Sequence, residues 1–113
     1  MHYLMAWKKT ISARALEKAG GASVKMGEDV IYISSVNGKL YAINGVCSHA
    51  KCILGDLEPD GLKVRCFCHD AKFELETGKM VEPPFVAKNA PMEKLGLSTY
   101  KIREENGFIE VDL

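Results

Sequence analysis

Two short knuckles in the middle of the chain restrict its fold more than any other feature. They are Cys47-Ser48-His49 and Cys66-Phe67-Cys68-His69, with sixteen residues between His49 and Cys66. Each offers one thiolate and one imidazole, and each has a second cysteine close by: Cys52 after the first, Cys68 inside the second. None of the four cysteines is placed to tie down a terminus. In an intracellular chain of 113 residues such clustering points to metal binding before a disulfide framework. A C2H2 zinc finger groups two cysteines on one knuckle and two histidines on the other. The mixed order here suits a two-metal cluster held by two loops, each supplying one Cys and one His. A zinc ribbon, which also uses Cys and His on paired loops, is the competing reading.

The rest of the chain supplies short elements and turns. His2 to Thr10 reads as a first strand, with Trp7, Ile11 and Leu16 as core. Ser12 is a plausible N-cap for a short helix, Ala13 to Ala19, which Gly20-Gly21 ends. Strands follow around Ser23 to Met26 and at Val30 to Ser34. Asn37-Gly38, set between apolar runs ending at Ile43, signals a tight type I′ hairpin. Leu62 to Arg65 reads as a strand leading into Cys66, and Lys72 to Leu75 as one leaving His69, ended by Thr77-Gly78. Pro83-Pro84 forces an extended loop. Thr99 to Glu104, an Asn106-Gly107 turn and Phe108 to Val111 read as a closing hairpin. The chain is therefore expected to be all-β: one domain, residues 1–113, an antiparallel sandwich or barrel. Its base spans 1–44 and 78–113, with a cluster-binding insertion of two ligand loops at about 45–77.

Charge narrows the partners. Lys+Arg and Asp+Glu both number 15, for a formal charge of zero, which argues against a nucleic-acid binder. No stretch approaches the length of a membrane span. The apolar run from Met1 to Trp7 is short, and Lys8 and Lys9 follow it, the reverse of a signal peptide. A cytoplasmic monomer is expected. His2 reads as an ordinary terminal or strand histidine.

The knuckles resemble those of the Rieske family, C-x-H followed by C-x-x-H, in which two histidines replace two cysteines on one iron of a [2Fe–2S] cluster. The resemblance implies that Cys47 and Cys66 hold one iron, and His49 and His69 the other. It is closer still to the disulfide-containing branch known from cytochrome bc complexes, which reads C-x-H-x-x-C and C-x-C-H. That likeness implies a disulfide between Cys52 and Cys68. Among soluble members the chain looks most like the sulredoxin-type ferredoxins of thermoacidophilic archaea, where intracellular disulfides are a recognised exception.

Four positions depart from the family pattern. Phe67 stands where Pro is frequent, and Asp70 where Gly is. Ala71 and Phe73 stand where the high-potential branch has Ser and Tyr, so two hydroxyls that would hydrogen-bond sulfur are missing. The family also places a proline-bearing loop over the cluster, a role that falls on Pro83 and Pro84. Ile53 and Leu54 are open between core and an exposed apolar collar, and Phe67 could pack beside the cluster.

Such a centre has every iron position filled, which implies an electron carrier and not an enzyme. Neutral imidazoles make the cluster less negative than an all-thiolate one and easier to reduce. Their outer nitrogens can couple reduction to protonation. The expected partners are a protein redox donor and acceptor, such as an oxygenase or a respiratory component. The alternatives are a small electron-transfer subunit of a larger oxidoreductase, or a zinc-binding module.

Overall fold

Both Asn-Gly pairs turn as their chemistry dictates: in the computed structural model Asn37 and Gly38 have φ of 52° and 82°, and Asn106 and Gly107 of 52° and 83°. A type I′ turn needs positive φ at both central residues, which Asn and Gly reach at least cost. The structure describes residues 6–48, 52–58 and 62–113. The expected start of the first strand at His2 lies outside them.

The described residues form three antiparallel sheets. In the first, β1 (Trp7–Ser12) pairs with β10 (Phe108–Asp112), which pairs with β9 (Ile102–Glu105). In the second, β3 (Asp29–Val36) lies between β2 (Gly21–Met26) and β4 (Lys39–Asn44). The third runs in chain order through β5 (Leu54–Leu57), β6 (Lys63–Cys66), β7 (Lys72–Glu74) and β8 (Met80–Glu82). Helix α1 (Ala13–Ala19) starts at Ser12, whose hydroxyl accepts the Ala15 N–H at 3.1 Å, and ends on Gly20 at φ 81°. A 3-10 turn, Met92–Lys94, lies between β8 and β9.

The second sheet is the wall between two cores. Ile31 and Ile33 of β3 pack with Leu16, Ala42, Ile109 and Val111 on the base side. Tyr32, between them, points the other way, where it joins Ile43, Leu54, Val64, Phe73, Leu75, Cys47 and Cys66. Alternation along a strand sends neighbours to opposite faces, and a strand covered on both sides reads as a continuous apolar run. Each fully buried Leu, Ile or Phe removed from water contributes roughly 1.5–3 kcal/mol.

Several elements differ from the sequence expectation. β5, β8 and the 3-10 turn have no counterpart in it. The expected strand from Thr99 to Glu104 begins only at Ile102, because residues 98–100 first run along β4: Asn44 N–H donates to Ser98 O at 2.9 Å and Tyr100 N–H to Ala42 O at 2.9 Å. The segment then crosses to β10. Leu16 is core as expected and Ile11 packs against it, but Trp7 is only half-buried, with the Arg103 guanidinium over its ring at 4.1 Å. Among the described residues, no helix is long and apolar enough to cross a membrane.

Candidate metal centre

Both knuckles are closed in the same way. Cys47 N–H donates to Cys52 O at 2.6 Å, and Cys66 N–H donates to Ala71 O at 2.8 Å, so each loop returns its chain five residues on. β5 joins them: Leu54 N–H donates to Gly45 O at 2.9 Å, and Leu54 is the cross-strand partner of Cys66. A disulfide links Cys52 and Cys68, whose Cα atoms lie 6.2 Å apart. The Ser48 hydroxyl donates to the carbonyl of Leu95, tying the first knuckle to the segment after the 3-10 turn. No sequence signal announces that contact.

The expected ligands lie as follows. Cys47 and Cys66 are outside the disulfide, 1% exposed each, and part of one buried cluster. His69 is partly exposed, yet its Nδ1 is buried. His49 lies outside the described residues. Among the described residues, no three His, Cys, Asp or Glu side chains form a group that could hold a metal ion. Two buried thiols and one inward ring nitrogen, carried on loops pinned together, are nonetheless the donor types an iron–sulfur cluster uses.

The surroundings divide into core and rim. Ala71 and Phe73 are wholly buried, as is Leu54, whereas Ile53 is 48% exposed. Of that pair Leu54 is core and Ile53 is exposed. Phe67 is 63% exposed, and its ring lies so close to Gly55 that a Cβ there would overlap it. Pro84 is fully buried and Pro83 half-buried. They deliver Phe85 to His69: its N–H donates to His69 O at 3.0 Å, and its ring stands edge-on to the imidazole at 5.5 Å. Asp70 has φ 59°, the left-handed conformation that glycine adopts freely and Asp tolerates.

Beside His69 a cleft of about 450 Å³ is lined by Arg65, Asp70, Lys72, Glu82, Pro83, Phe85 and Lys88. Lys72 bridges Glu58 at 2.6 Å and Glu82 at 3.1 Å. Hydrogen bonds, first to Glu58 and then to Glu82, hold its ammonium above the usual lysine range. Burial, with the charge of Asp29, likewise pushes the Tyr100 phenol up. The raised Lys72 stabilises the fold fully below lysine's ordinary value and loses that effect as pH rises through the folded value. Tyr100 keeps its proton longer folded than unfolded, so it too costs stability once the unfolded chain ionises. Melting temperature should therefore fall above about pH 10, and Tyr100→Phe should remove part of the fall in a calorimetric pH series.

Residues 6–101 match the family model for the Rieske [2Fe-2S] domain. The chain is 62% identical over 109 residues to sulredoxin of Sulfurisphaera tokodaii, covering 96% of this chain and all of the relative. It is 40% identical over 86 residues to the 3-phenylpropionate/cinnamic acid dioxygenase ferredoxin subunit of Shigella flexneri, covering 74% of this chain and 73% of that one. The ferredoxin of carbazole 1,9a-dioxygenase from Nocardioides aromaticivorans superposes with a TM-score of 0.76 at 20% identity, over 95% of this chain and 97% of that one. The terminal oxygenase of the same system superposes at 0.78 and 19% identity, but this chain spans only 30% of it. These two structural likenesses concern the fold.

Proposed function

The chain belongs to the Rieske [2Fe-2S] family and is an electron carrier of the Rieske ferredoxin type, and from that premise we propose that Cys47, His49, Cys66 and His69 hold its [2Fe–2S] cluster. The observation that carries this assignment is the pair of buried thiols at the ends of two knuckles that a disulfide ties together. The cluster, when bound, accepts and returns one electron at a time. Cys47 and Cys66 would hold one iron. His69 would bind the other through its buried Nδ1, with Nε2 left to hold or release a proton, and His49 would complete the set. The ligand loops belong to a unit at about 45–77 set on a base of 1–44 and 78–113, a division supported by β5–β7, which lie within 45–77, although their sheet continues into β8 at Met80–Glu82.

With all four ligands engaged, the protein carries electrons and transforms no substrate. Its acceptor is a terminal oxygenase, a reading supported by the dioxygenase ferredoxin subunits among its relatives; a respiratory component is the other candidate. It acts as a monomer in the cytoplasm. A reduced sample giving a Rieske-type EPR signal, with two irons and two sulfides per chain, is the expected result. A colourless protein containing zinc would overturn the assignment. The potential should also fall as pH rises at alkaline values, whereas a flat profile there counts against histidine ligation.

Ala71 and Phe73 set where the potential lies. Both are 0% exposed, so hydroxyls placed there would be out of reach of solvent, and sulfur would be their acceptor. Such bonds stabilise the charge of the reduced state. The native protein should therefore lie below the high-potential branch, within roughly −150 to +300 mV. Ala71→Ser with Phe73→Tyr should raise the midpoint in protein-film voltammetry, and the absence of an upward shift would remove this explanation.

A further inference from the structure

Residues 98–100 bond to only one end of β4. Asn44 N–H donates to Ser98 O and Tyr100 N–H to Ala42 O, both at 2.9 Å. The chain then leaves for β10, where Asp112 N–H donates to Lys101 O at 3.0 Å. Along an antiparallel strand, alternate residues turn their N–H and C=O groups to the same side. Ala42 turns its carbonyl away from β3, so Leu40, two residues earlier, does the same with both its groups. Among the described residues, no group bonds to Leu40 from that side.

The bare end opens into three adjoining hollows. One of about 500 Å³ lies between Glu17 of α1 and Glu104 of β9, over Leu40 and Ile109. The second, of about 220 Å³, shares Leu40 and carries Lys39 and Glu76. The third, of about 110 Å³, shares Glu76 and adds Leu62 and Glu74. Together they set four carboxylates against one cation, on a chain whose formal charge is zero. Lys39 is held by Glu76 at 3.6 Å, and among the described residues no cation pairs with Glu17 or Glu104.

We propose that this groove takes up an extended segment of a partner protein, rich in basic and apolar residues, which adds to β4 as a further strand. An unpaired strand edge is a template for such pairing. The segment's apolar side chains would lie over Leu40, Ile109 and Leu62, and its basic ones would meet the carboxylates. Charge excludes the other occupants. Nucleic acid and an anionic membrane are repelled, and a second copy would set one acidic rim against another. Roughly 13 Å of strand separates Leu40 from Asn44, and the first knuckle lies beyond it. A partner held here therefore leaves the metal centre open, and the inference stands apart from the ligand assignment.

The probe is a capped peptide of alternating lysine and valine, titrated into isotope-labelled holoprotein and followed by amide chemical shifts. Saturable shifts should centre on the amides of Leu40 and Glu104. Affinity should weaken at least fivefold when ionic strength rises about tenfold. A fully N-methylated form of the peptide, and a form with glutamate for lysine, should each bind at least fivefold more weakly. Leu40→Pro removes a donor that the ladder does not use and should abolish binding. Because Leu40 also packs against the base core, the double variant Glu17→Gln, Glu104→Gln forms a second arm. It should keep the native melting temperature and lose at least fivefold in affinity, whereas Glu93→Gln, on the 3-10 turn, should stay within twofold of native. Equal binding of the N-methylated peptide overturns strand addition, and equal binding of the acidic peptide or by the double variant overturns the choice of partner. A dimer in sedimentation that Leu40→Pro dissociates overturns it as well. Failure of the ligand assignment is distinguishable, because it shows as a missing Rieske EPR signal, which the titration does not read.

Discussion

Replacing Cys66 with serine is expected to abolish the Rieske EPR signal while leaving the sheets in place. Cys66 ends β6, pairs with Leu54 and is 1% exposed. Serine fits the same space and keeps the backbone bond to Ala71 O, so far-UV circular dichroism of the metal-free protein should be little changed. The cluster, however, loses a thiolate that an alcohol cannot replace at neutral pH. Affinity should drop by more than the ~10–100-fold typical of changes to residues that only support a ligand. Iron per chain should therefore fall to a small fraction of the native value. Cys47→Ser should behave alike, since both thiols are assigned to the same iron. A variant that keeps a native-like signal would exclude its cysteine from the ligand set.

Removing the disulfide is the second large change. The double variant Cys52→Ala, Cys68→Ala opens a link between residues 16 apart in sequence, and a loop of that size is worth about 3 kcal/mol through the unfolded chain's entropy. For a domain of this length the melting temperature should fall by roughly 10–20 °C. Cluster release should accelerate as well. Cys52 is where the first knuckle closes, through Cys47 N–H to Cys52 O, and Cys68 is next to the ligand His69. Thermal melts followed by circular dichroism, with the visible absorbance of the cluster read in parallel, separate the two effects. A melting temperature within a few degrees of native would mean that the knuckle hydrogen bonds and β5 suffice to hold the loops.

What could be seen in the sequence is what local chemistry decides. The Asn-Gly turns, the Ser12 cap and the Gly20 stop fall where expected because each acts within a few residues. The knuckles were legible for the same reason, and the Cys52–Cys68 pairing through resemblance alone. β5 was not legible: Leu54-Gly55-Asp56-Leu57 contains two residues that strands disfavour, and it is a strand because β6 pairs with it, with a register shift between Leu54 and Asp56. β8 has three residues and no periodicity to read. The crossing of residues 98–102 from one sheet to another depends on the partners of its two halves, which no local pattern records. Within the site, the ring of Phe67 over Gly55 and that of Phe85 on His69 join segments brought near only by the fold.

The wall formed by the second sheet couples the cover over the sulfurs to the packing of the base. Tyr32 and Ile43 press on the core that holds Cys47 and Cys66, while Ile31, Ile33 and Ala42 press on the base from the other face. Opening either half strips cover from the same strands. A fluctuation that parts β3 from β4 therefore loosens both halves at once and costs more than one confined to either half. Loss of the cluster through the wall is thereby the slow route, which leaves the disulfide-tied knuckles at the rim as the place where the carrier's working lifetime is decided.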